Sequence, residues 1–290
     1  MKRESFSVLE IFKKSSKYLQ DRGIGSFKSD TEWIFTHILK LKRIDIFLDK
    51  RFVEFDNEIQ NLRQAIIRRG KREPLQHIVG NVQFFNCKIK TDKRALIPRF
   101  ETEKLIEIVV DKFPEDFKGT IIDFGTGSGA IIVSLAKQFP NARCIGLDKC
   151  GDALALAKEN IHLNNCHQNV ELLKYDWSKD SKDFDRADLL ISNPPYLSLK
   201  DWEMTEPEVM NYDPKSALVS ENEGLSDLES ILNMSPTILK NNGMIALEFG
   251  KGQCDSLSGH FDQMFDEVVI EKDLSGVRRF MTGRLKSQIS

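Results

Sequence analysis

The strongest local signal in the sequence is the heptapeptide Asp123-Phe-Gly-Thr-Gly-Ser-Gly129. It overlaps the end of a short apolar stretch, Thr120–Phe124, typical of a buried strand, and it precedes a helical pattern at Ala130–Gln138. Glycines at a strand-to-helix turn let the backbone turn tightly and approach a ligand. In an open α/β sheet such a turn lies at the carboxyl edge of the strands, where ligands bind. The heptapeptide therefore predicts an α/β fold with a ligand site at this loop.

An acidic residue ends the next predicted strand, Ala142–Leu147. Asp148 lies 23 residues after Gly125, where a carboxylate can accept hydrogen bonds from both ribose hydroxyls of a nucleoside. The glycines are spaced Gly-x-Gly-x-Gly, whereas dinucleotide folds usually have Gly-x-Gly-x-x-Gly, and Asp123 precedes the first glycine by two residues. That carboxylate would repel a pyrophosphate but could orient the cationic amino-acid end of S-adenosylmethionine. The loop therefore favours a methyl donor.

The motif Asn193-Pro194-Pro195-Tyr196 directly follows another predicted strand, Ala187–Ser192. Two prolines cannot continue a strand ladder, so the chain leaves the sheet at the same carboxyl edge. A planar NH₂ group is a poor nucleophile because its lone pair is delocalised. The Asn193 side-chain oxygen and the Pro194 carbonyl would orient that lone pair and stabilise the developing positive charge, while Tyr196 stacks on the flat group. The motif indicates methylation of an NH₂ group.

The hydrophobic pattern divides the chain into parts. Residues 8–19, 33–39 and 59–67 carry helical stripes, with helix starts expected at Asp30-Thr31-Glu32 and at Asp56, and no strand pattern is seen there. Residues 78–89 predict a β-hairpin that turns at Gly80-Asn81. Strands and helices then alternate, and the chain closes with a hairpin at 267–281, which predicts a mostly parallel sheet covered by helices. We expect a helical-bundle domain (1–75), a β-hairpin linker (76–95) and an α/β domain (96–290).

The formal net charge of −2 is the sum of two unlike parts. Residues 1–80 contain 17 basic and 11 acidic residues, whereas residues 81–290 contain 25 and 33. The basic first part suits an acidic partner surface or nearby RNA, although such an excess is commonly only a solvated helical face. The acidic second part argues against stable DNA binding.

The cysteine and histidine patterns exclude two further classes. Five cysteines without a Cys-x-x-Cys pair favour a reducing cytoplasm over a disulfide framework. The five histidines form no i, i+4 pair and have no cysteine partner at zinc spacing, so we expect no metal site. The chain also has no run of about 18 apolar residues, so no membrane span is expected.

Together these motifs resemble the HemK/PrmC family of protein-glutamine N5-methyltransferases of peptide release factors. The resemblance extends over nearly the whole chain. Besides the glycine loop and Asn193–Tyr196, it rests on Glu73-Pro-Leu-Gln-His-Ile-Val-Gly80, Leu96-Ile-Pro-Arg-Phe-Glu-Thr-Glu103, Leu247-Glu-Phe-Gly250 with Gln253, and Asp273-Leu-Ser-Gly-Val-Arg278. Asn-Pro-Pro-Tyr alone is shared with DNA adenine and cytosine amino-methyltransferases, but its combination with Pro-Arg-x-Glu-Thr-Glu is much more specific.

The resemblance implies a Rossmann-like class I methyltransferase domain with a seven-stranded sheet. It implies transfer from S-adenosylmethionine, with S-adenosylhomocysteine as product, to the glutamine of the Gly-Gly-Gln loop in class 1 release factors. The helical domain would dock this partner, and we expect a monomer. The residues implied to hold the cofactor are Gly125, Thr126, Gly127, Ser128, Gly129, Asp148, Trp177 and Asn193.

The same resemblance assigns the substrate site. Asn193, Pro194 and Tyr196 would be catalytic, and Pro195 and Phe100 would help to receive the glutamine. Two of the implied roles have structural alternatives. Trp177 would pack on the adenine or be a plain core aromatic, and Phe100 and Thr102 would line the entrance or only pack the start of a helix.

Three positions depart from the family pattern. Phe100 stands where proline is usual, Asp213 stands where glutamate is common, and Val219-Ser220-Glu221 replaces a turn that contains glycine. None of them is among the residues assigned to methyl transfer, so they bear on substrate fit.

Three other functions remain open. A nucleic-acid amino-methyltransferase would act on a flipped adenine or cytosine, but it would need a basic target-recognition face. A ribosomal-protein glutamine would need the same chemistry as a release-factor glutamine. A module that only binds the cofactor would have no use for the NH₂ acceptors at Asn193 and Pro194.

Overall fold

The computed structural model describes residues 5–48, 52–54, 57–177 and 185–287. The chain divides into two compact units. The first comprises residues 1–81 together with 206–212, and the second comprises residues 82–205 and 213–290. Within the described ranges, no helix is both long enough and apolar enough to cross a membrane.

Helices build the first unit, as the periodicity predicts. Its core comes from the predicted stripes, for example Phe12 and Leu19, Ile34, and Leu62, all of which are at most 4% exposed. Trp33 is 60% exposed, so the buried stripe of the second helix does not include it. The elements, labelled in chain order, are β1 (Ser5–Ser7), α1 (Val8–Asp21), α2 (Phe27–Leu39), α3 (Arg43–Phe47), β2 (Phe52–Glu54), α4 (Asn57–Gly70) and α5 (Leu75–Val79).

Two details of this unit differ from the prediction. β1 and β2 pair as an antiparallel ribbon in a region where no strand was expected. α2 begins at Phe27, before the predicted start at Asp30. Asp30 lies inside the helix, where it is buried and its Oδ2 lies 2.6 Å from Nε of Arg69 on α4. A buried carboxylate needs such a cation. Asp56, the other predicted helix start, lies outside the described residues.

A segment from far along the chain completes the first unit. Glu208 accepts a hydrogen bond of 2.8 Å from Arg69, and its other oxygen lies 2.7 Å from Arg72. The Tyr212 hydroxyl donates to the carbonyl of Lys71 over 3.1 Å. Residues 206–212 therefore belong to the helical unit, which the sequence pattern did not predict.

A seven-stranded sheet forms the centre of the second unit. Its strands are β5 (Thr120–Phe124), β6 (Arg143–Asp148), β7 (Val170–Lys174), β8 (Ala187–Ser192), β9 (Leu239–Glu248), β10 (Phe265–Lys272) and β11 (Arg278–Leu285). Their order across the sheet is β10-β11-β9-β8-β5-β6-β7. The five strands from β9 to β7 in this order are parallel, and β11 and β10 are antiparallel at one edge. The helices of this unit are α6 (Phe100–Val110), α7 (Ala130–Gln138), α8 (Gly151–Leu163), α9 (Leu199–Glu203), α11 (Glu221–Gly224), α12 (Ser226–Ile238) and α13 (Cys254–Met264). The remaining helix, α10 (Pro207–Tyr212), belongs to the first unit.

The central strands are apolar along their length because both faces of the sheet are covered. Successive side chains point to opposite faces, so Ile121 joins one core cluster with α6 and α7, and Ile122 joins another with α12 and α13. The seven-stranded, mostly parallel sheet that the family resemblance implies is confirmed. β9 begins at Leu239, and its pairing with β8 shifts register between Ala187 and Leu189.

The predicted turn of the first hairpin is wrong. Residues 75–79 form α5, and the hairpin consists of β3 (Asn81–Phe84) and β4 (Cys87–Lys90), which turn at Phe85-Asn86. Gly80 has a φ of 79° and ends α5, so it is a helix C-cap and not a hairpin turn. Phe84, Cys87 and Ile89 are buried in the core of the second unit.

Candidate active site

The glycine loop is fixed to the end of the neighbouring strand. The backbone N–H groups of Gly125 and Thr126 both donate to the carbonyl of Leu147, each over 2.9 Å. Gly127 donates to Oδ2 of Asp148 over 2.9 Å, while Cys150 donates to Oδ1 over 2.8 Å. Each Asp148 oxygen accepts one backbone hydrogen bond and has lone-pair capacity for another. Burial raises the pKa of Asp148, and these two backbone donors oppose the rise.

Two positions of the loop require glycine, one because of its backbone conformation and the other because of a close neighbour. Gly127 has a φ of 56°, a left-handed conformation that a side chain would strain. A Cβ on Gly129, whose φ is 81°, would lie 3.1 Å from Cβ of Ala157, so glycine there lets α7 start close against α8. Thr126 and Ser128, the residues between the glycines, are buried.

Asn160 on α8, which no sequence motif indicated, holds the back of the loop through hydrogen bonds. Its Nδ2 donates to the carbonyls of Ser128 and Lys90, over 2.9 and 3.1 Å, and its Oδ1 accepts from the Lys90 N–H over 2.7 Å. One side chain thus joins α8, the glycine loop and β4. Asn in the middle of a helix has a poor propensity, which is the signal that could have identified it.

Trp177 lies beside the loop and is held in place. It is 8% exposed, its ring stacks on Phe124 at a centroid distance of 5.9 Å, and its Nε1 donates to Asp227 over 2.9 Å. The ring also lies 3.5 Å from where a Cβ on Gly125 would be. Trp177 packs as a core aromatic and also lines the cavity beside Gly125.

Asp123, the next-to-last residue of β5, is fully buried. Neither of its carboxylate oxygens has a hydrogen-bond partner among the residues that the structure describes. Burial raises the pKa of Asp123 to about 7. The Thr126 hydroxyl and the Ile132 N–H lie close enough to oppose the rise but form no hydrogen bond of ordinary geometry with it, and the charge of Asp148 adds to the rise. A buried carboxylate without a partner is costly, which is typical of a functional position, although Asp123 lies behind the loop and lines neither cavity of the site.

The Asn193–Tyr196 turn meets the glycine loop at the carboxyl edge of the sheet, where the sequence places both. Ser192 donates to the carbonyl of Phe124 over 2.6 Å, which joins the ends of β8 and β5. Asn193 Nδ2 donates to the hydroxyl of Thr102 over 3.0 Å, and this hydroxyl donates to Oε2 of Glu248 over 2.7 Å. Pro194 and Pro195 are buried.

Tyr196 is fixed at both its backbone and its side chain. Its hydroxyl donates to Oε1 of Glu248 over 3.1 Å, and its carbonyl accepts from Nε2 of Gln253 over 2.9 Å. A Cβ on Gly224 would lie only 2.2 Å from that carbonyl oxygen, so the chain must have glycine there. Burial raises the pKa of the Tyr196 hydroxyl, and the neighbouring Glu248 raises it further.

Glu248 has no role in the sequence analysis beyond its place in the Leu247–Gly250 motif. It is the last residue of β9 and is 1% exposed. A carboxylate at the carboxyl end of a buried parallel strand is the signal that could have identified it.

Phe100 lies apart from these groups. It is the first residue of α6, is 63% exposed, and does not line either of the two cavities at the glycine loop. The preceding Arg99 forms an ion pair with Asp213 over 2.6 Å. Asp213 therefore anchors the Pro-Arg-x-Glu-Thr-Glu block despite being shorter than the glutamate expected there.

Two adjoining cavities share Leu96, Gly125, Gly127 and Asn193. The first also contains Asp148, Trp177 and Pro195, and the second also contains Thr102 and Arg99. Asn193 thus borders both spaces. Within the described residues, no cluster of His, Cys, Asp or Glu could hold a metal ion.

We predict that Asp123→Asn stabilises the ligand-free protein at about pH 8, by on the order of 1–3 kcal/mol, and that the gain shrinks toward about pH 5. A carboxyl whose pKa rises from 3.8 to about 7 on folding contributes less stability as the pH rises between those values, because the native state holds its proton more tightly. Thermal unfolding across this range measures the effect, with the exposed Asp116→Asn as control. A variant-minus-wild-type difference that is constant with pH would contradict the prediction.

Known proteins resemble this chain in both parts. Residues 10–80 match the PrmC N-terminal domain, and residues 102–222 match the methyltransferase small domain. Among solved structures, the hMettl16 catalytic domain in complex with MAT2A 3'UTR hairpin 6 has a TM-score of 0.55 at 16% identity, covering 84% of this chain and 87% of that chain. A methyltransferase from Pyrococcus furiosus has a TM-score of 0.51 at 16% identity, covering 70% and 91%. These structures share the fold.

Relatives of known name match nearly the full length. The release factor glutamine methyltransferase of Geobacter sulfurreducens is 31% identical, covering 98% of this chain and 99% of its own. The protein of the same name from Fusobacterium nucleatum is 34% identical, covering 95% of this chain and 78% of its own. Since both units of the chain are covered at this identity, the protein belongs to the release factor glutamine methyltransferase family.

Proposed function

We propose that this protein transfers a methyl group from S-adenosylmethionine to the side-chain amide nitrogen, N5, of the glutamine in the Gly-Gly-Gln loop of class 1 peptide chain release factors. The observation that carries the proposal is the position of Asn193, which borders both the cavity of the glycine loop and the cavity beside Thr102. An NH₂ acceptor at that point lies between a methyl-donor site and a substrate site. The family membership supports the same reaction.

The residues around the glycine loop fit S-adenosylmethionine. Asp123 is a buried carboxylate without a partner among the described residues, and the amino-acid end of this cofactor carries an ammonium group that would neutralise it. Asp148 has lone-pair capacity for ribose hydroxyls, and Trp177 offers an apolar edge to the adenine. Gly125 and Gly127 leave room for the ligand to approach the backbone. When bound, the cofactor supplies an electrophilic methyl group on a sulfonium.

The chain supplies orientation and charge stabilisation. Asn193 Oδ1 and the Pro194 carbonyl would accept the two hydrogens of the glutamine NH₂ group, which directs the nitrogen lone pair toward the methyl group. As the new C–N bond forms and the methyl–sulfur bond breaks to leave neutral S-adenosylhomocysteine, these acceptors would stabilise the positive charge on nitrogen until it loses a proton to solvent. Pro195 and Tyr196 would form the wall against which the flat amide lies.

We expect purified protein to place one methyl group on the target glutamine of a class 1 release factor. The measurement is mass spectrometry of the products after incubation with labelled S-adenosylmethionine. A release factor with asparagine in place of that glutamine is the control, since its shorter side chain cannot reach the same position. DNA and ribosomal protein are included as competing substrates. An unmethylated release factor would refute the proposal, and methyl groups on DNA or on a ribosomal-protein glutamine would support those alternatives instead.

We predict that Asn193→Ala lowers kcat by roughly 10²–10³-fold, as expected for the loss of one preorganised polar group in a transition state. The Kd for S-adenosylmethionine should change by less than about fivefold, roughly 1 kcal/mol, because Asp123, Asp148 and the glycine loop remain. Single-turnover rates and calorimetric titration measure the two effects. The exposed Asn141→Ala is the matched control. Retained turnover in Asn193→Ala would remove Asn193 from this role.

We further propose that the release factor docks on the first unit, in a groove of about 750 Å³ between α1 and α4. Ile11, Tyr18 and Ile67 are among the apolar residues that line it, and its cations are Lys14, Arg22, Arg63 and Lys71. The Arg22 guanidinium lies 5.0 Å from the centre of the Tyr18 ring. None of the lining residues is acidic. Charge complementarity therefore favours a release-factor segment that has apolar anchors flanked by acidic residues.

We expect the double variant Lys14→Glu and Arg63→Glu to raise the KM for the release factor about tenfold, roughly 1.4 kcal/mol, with little change in kcat. The increase should shrink as salt concentration rises, because exposed charges are screened. Lys13→Glu with Lys28→Glu has the same change in net charge at exposed positions outside the groove. An equal KM increase in both double variants would show that net charge, and not the groove, determines binding.

We also propose a cytoplasmic location, where release factors act. The five cysteines are all free thiols, four of them buried, as expected in a reducing compartment.

A further inference from the structure

A buried chain of hydrogen bonds connects Glu248 to Asn193. Glu248 ends β9, and its Oε2 accepts the hydroxyl proton of Thr102 over 2.7 Å, while Oε1 accepts that of Tyr196 over 3.1 Å. Thr102 lies on α6 and is 4% exposed. Its hydroxyl in turn accepts Nδ2 of Asn193 over 3.0 Å. These hydrogen bonds therefore connect three parts of the second unit, β9, α6 and the turn after β8, to the Asn193 side chain of the proposed methyl-transfer site.

The direction of these hydrogen bonds determines the orientation of the Asn193 amide. A hydroxyl has one proton to donate, and Thr102 donates its proton to the Glu248 carboxylate. It can then only accept from Asn193, so the amide must turn its Nδ2 toward Thr102. The opposite branch of the amide is Oδ1, the acceptor needed for a substrate NH₂ group.

We propose that Glu248 is a positioning residue for methyl transfer, which acts through Thr102 to keep the Asn193 amide oxygen available to the glutamine NH₂. This inference rests on the proposed function. Glu248 itself touches neither substrate nor cofactor in this arrangement. Its role is to fix which end of the amide faces Thr102, since the two ends of an amide are nearly the same in size.

Protonation of Glu248 would reverse the donor and acceptor roles along these hydrogen bonds. The protonated acid could donate to Thr102, which could then donate to Asn193 Oδ1 and turn the amide over. Burial raises the pKa of Glu248 to about 7, with Thr102, Tyr196 and Arg279 opposing the rise and Glu101 adding to it. The charged and titratable groups among them are Glu101 on α6, Tyr196 in the loop after β8, and Arg279 on β11. We therefore expect kcat to fall as the pH drops below about 7.

The first test is Glu248→Gln, which keeps the size of the side chain but lets it donate to Thr102. We expect kcat for release-factor methylation to fall at least tenfold, with the KM for release factor and the Kd for S-adenosylmethionine within about threefold of wild type. The acidic limb of the kcat–pH profile should disappear. Glu107→Gln on α6 is the matched control, because Glu107 is exposed and outside the chain of hydrogen bonds.

The second test compares two substitutions at Thr102, which decide the matter even where Glu248→Gln does not fold. Thr102→Val removes the hydroxyl but preserves the shape, and kcat should fall at least tenfold. Thr102→Ser restores the hydroxyl and should recover most of kcat together with the acidic limb. A purely structural role would instead make both variants lose stability and cofactor binding together, without this rescue.

Wild-type kcat and an unchanged pH profile in Glu248→Gln, or in a folded Thr102→Val, would overturn the inference. A loss that Thr102→Ser does not recover would overturn it as well. Failure of the proposed function is a separate result, because the wild-type protein would then leave the release-factor glutamine unmethylated.

Discussion

The parallel alignment of β5, β6, β8 and β9 is the constraint on which the site depends. Parallel strands have their carboxyl ends at one edge of the sheet, so Asp123, Asp148, Asn193 and Glu248 are brought together although they are far apart in the chain. The hydrogen bond between Ser192 and the carbonyl of Phe124 joins two of these strand ends directly. A slip of one residue in register would reverse which side chains face each core. The apolar residues on both faces of the sheet therefore also hold the site in place.

Two buried carboxylates distinguish this edge from the rest of the core. Asp123 and Glu248 are both enclosed, and burial raises the pKa of each to about 7. Their surroundings differ, however. Glu248 accepts two hydroxyl protons, whereas Asp123 has no partner among the described residues. A fold optimised for stability alone would have apolar residues at such positions. The two hydroxyl donors offset the burial of Glu248 within the protein, and the cationic end of the proposed methyl donor would offset the burial of Asp123.

The helical unit also contains buried charged groups, which pair with one another and hold the parts of the unit together. Arg69 is paired with Asp30 and Glu208, and Glu208 is shared with Arg72. The chain enters this unit again at residue 206 and leaves it after residue 212. The next residue, Asp213, forms an ion pair with Arg99 in the second unit. The segment after the Asn193–Tyr196 turn therefore contributes a partly buried carboxylate to the first unit and a buried one to the second, and neither contribution has a periodic signature in sequence.

Local chemistry along the chain was sufficient to determine the alternation of strands and helices, the glycine loop, the proline-stiffened turn and the unlike charge of the two parts. These follow from backbone conformation and from hydrophobic period, which depend on neighbouring residues. Only the tertiary structure decided that Asp30 pairs with Arg69 rather than capping a helix, that residues 206–212 join the first unit, and that the hairpin turns at Phe85-Asn86. It alone placed Thr102 between Asn193 and Glu248, partners 91 and 146 positions away. Hydrogen bonds over such separations are set by the packing of whole elements, and no local pattern in the sequence records them.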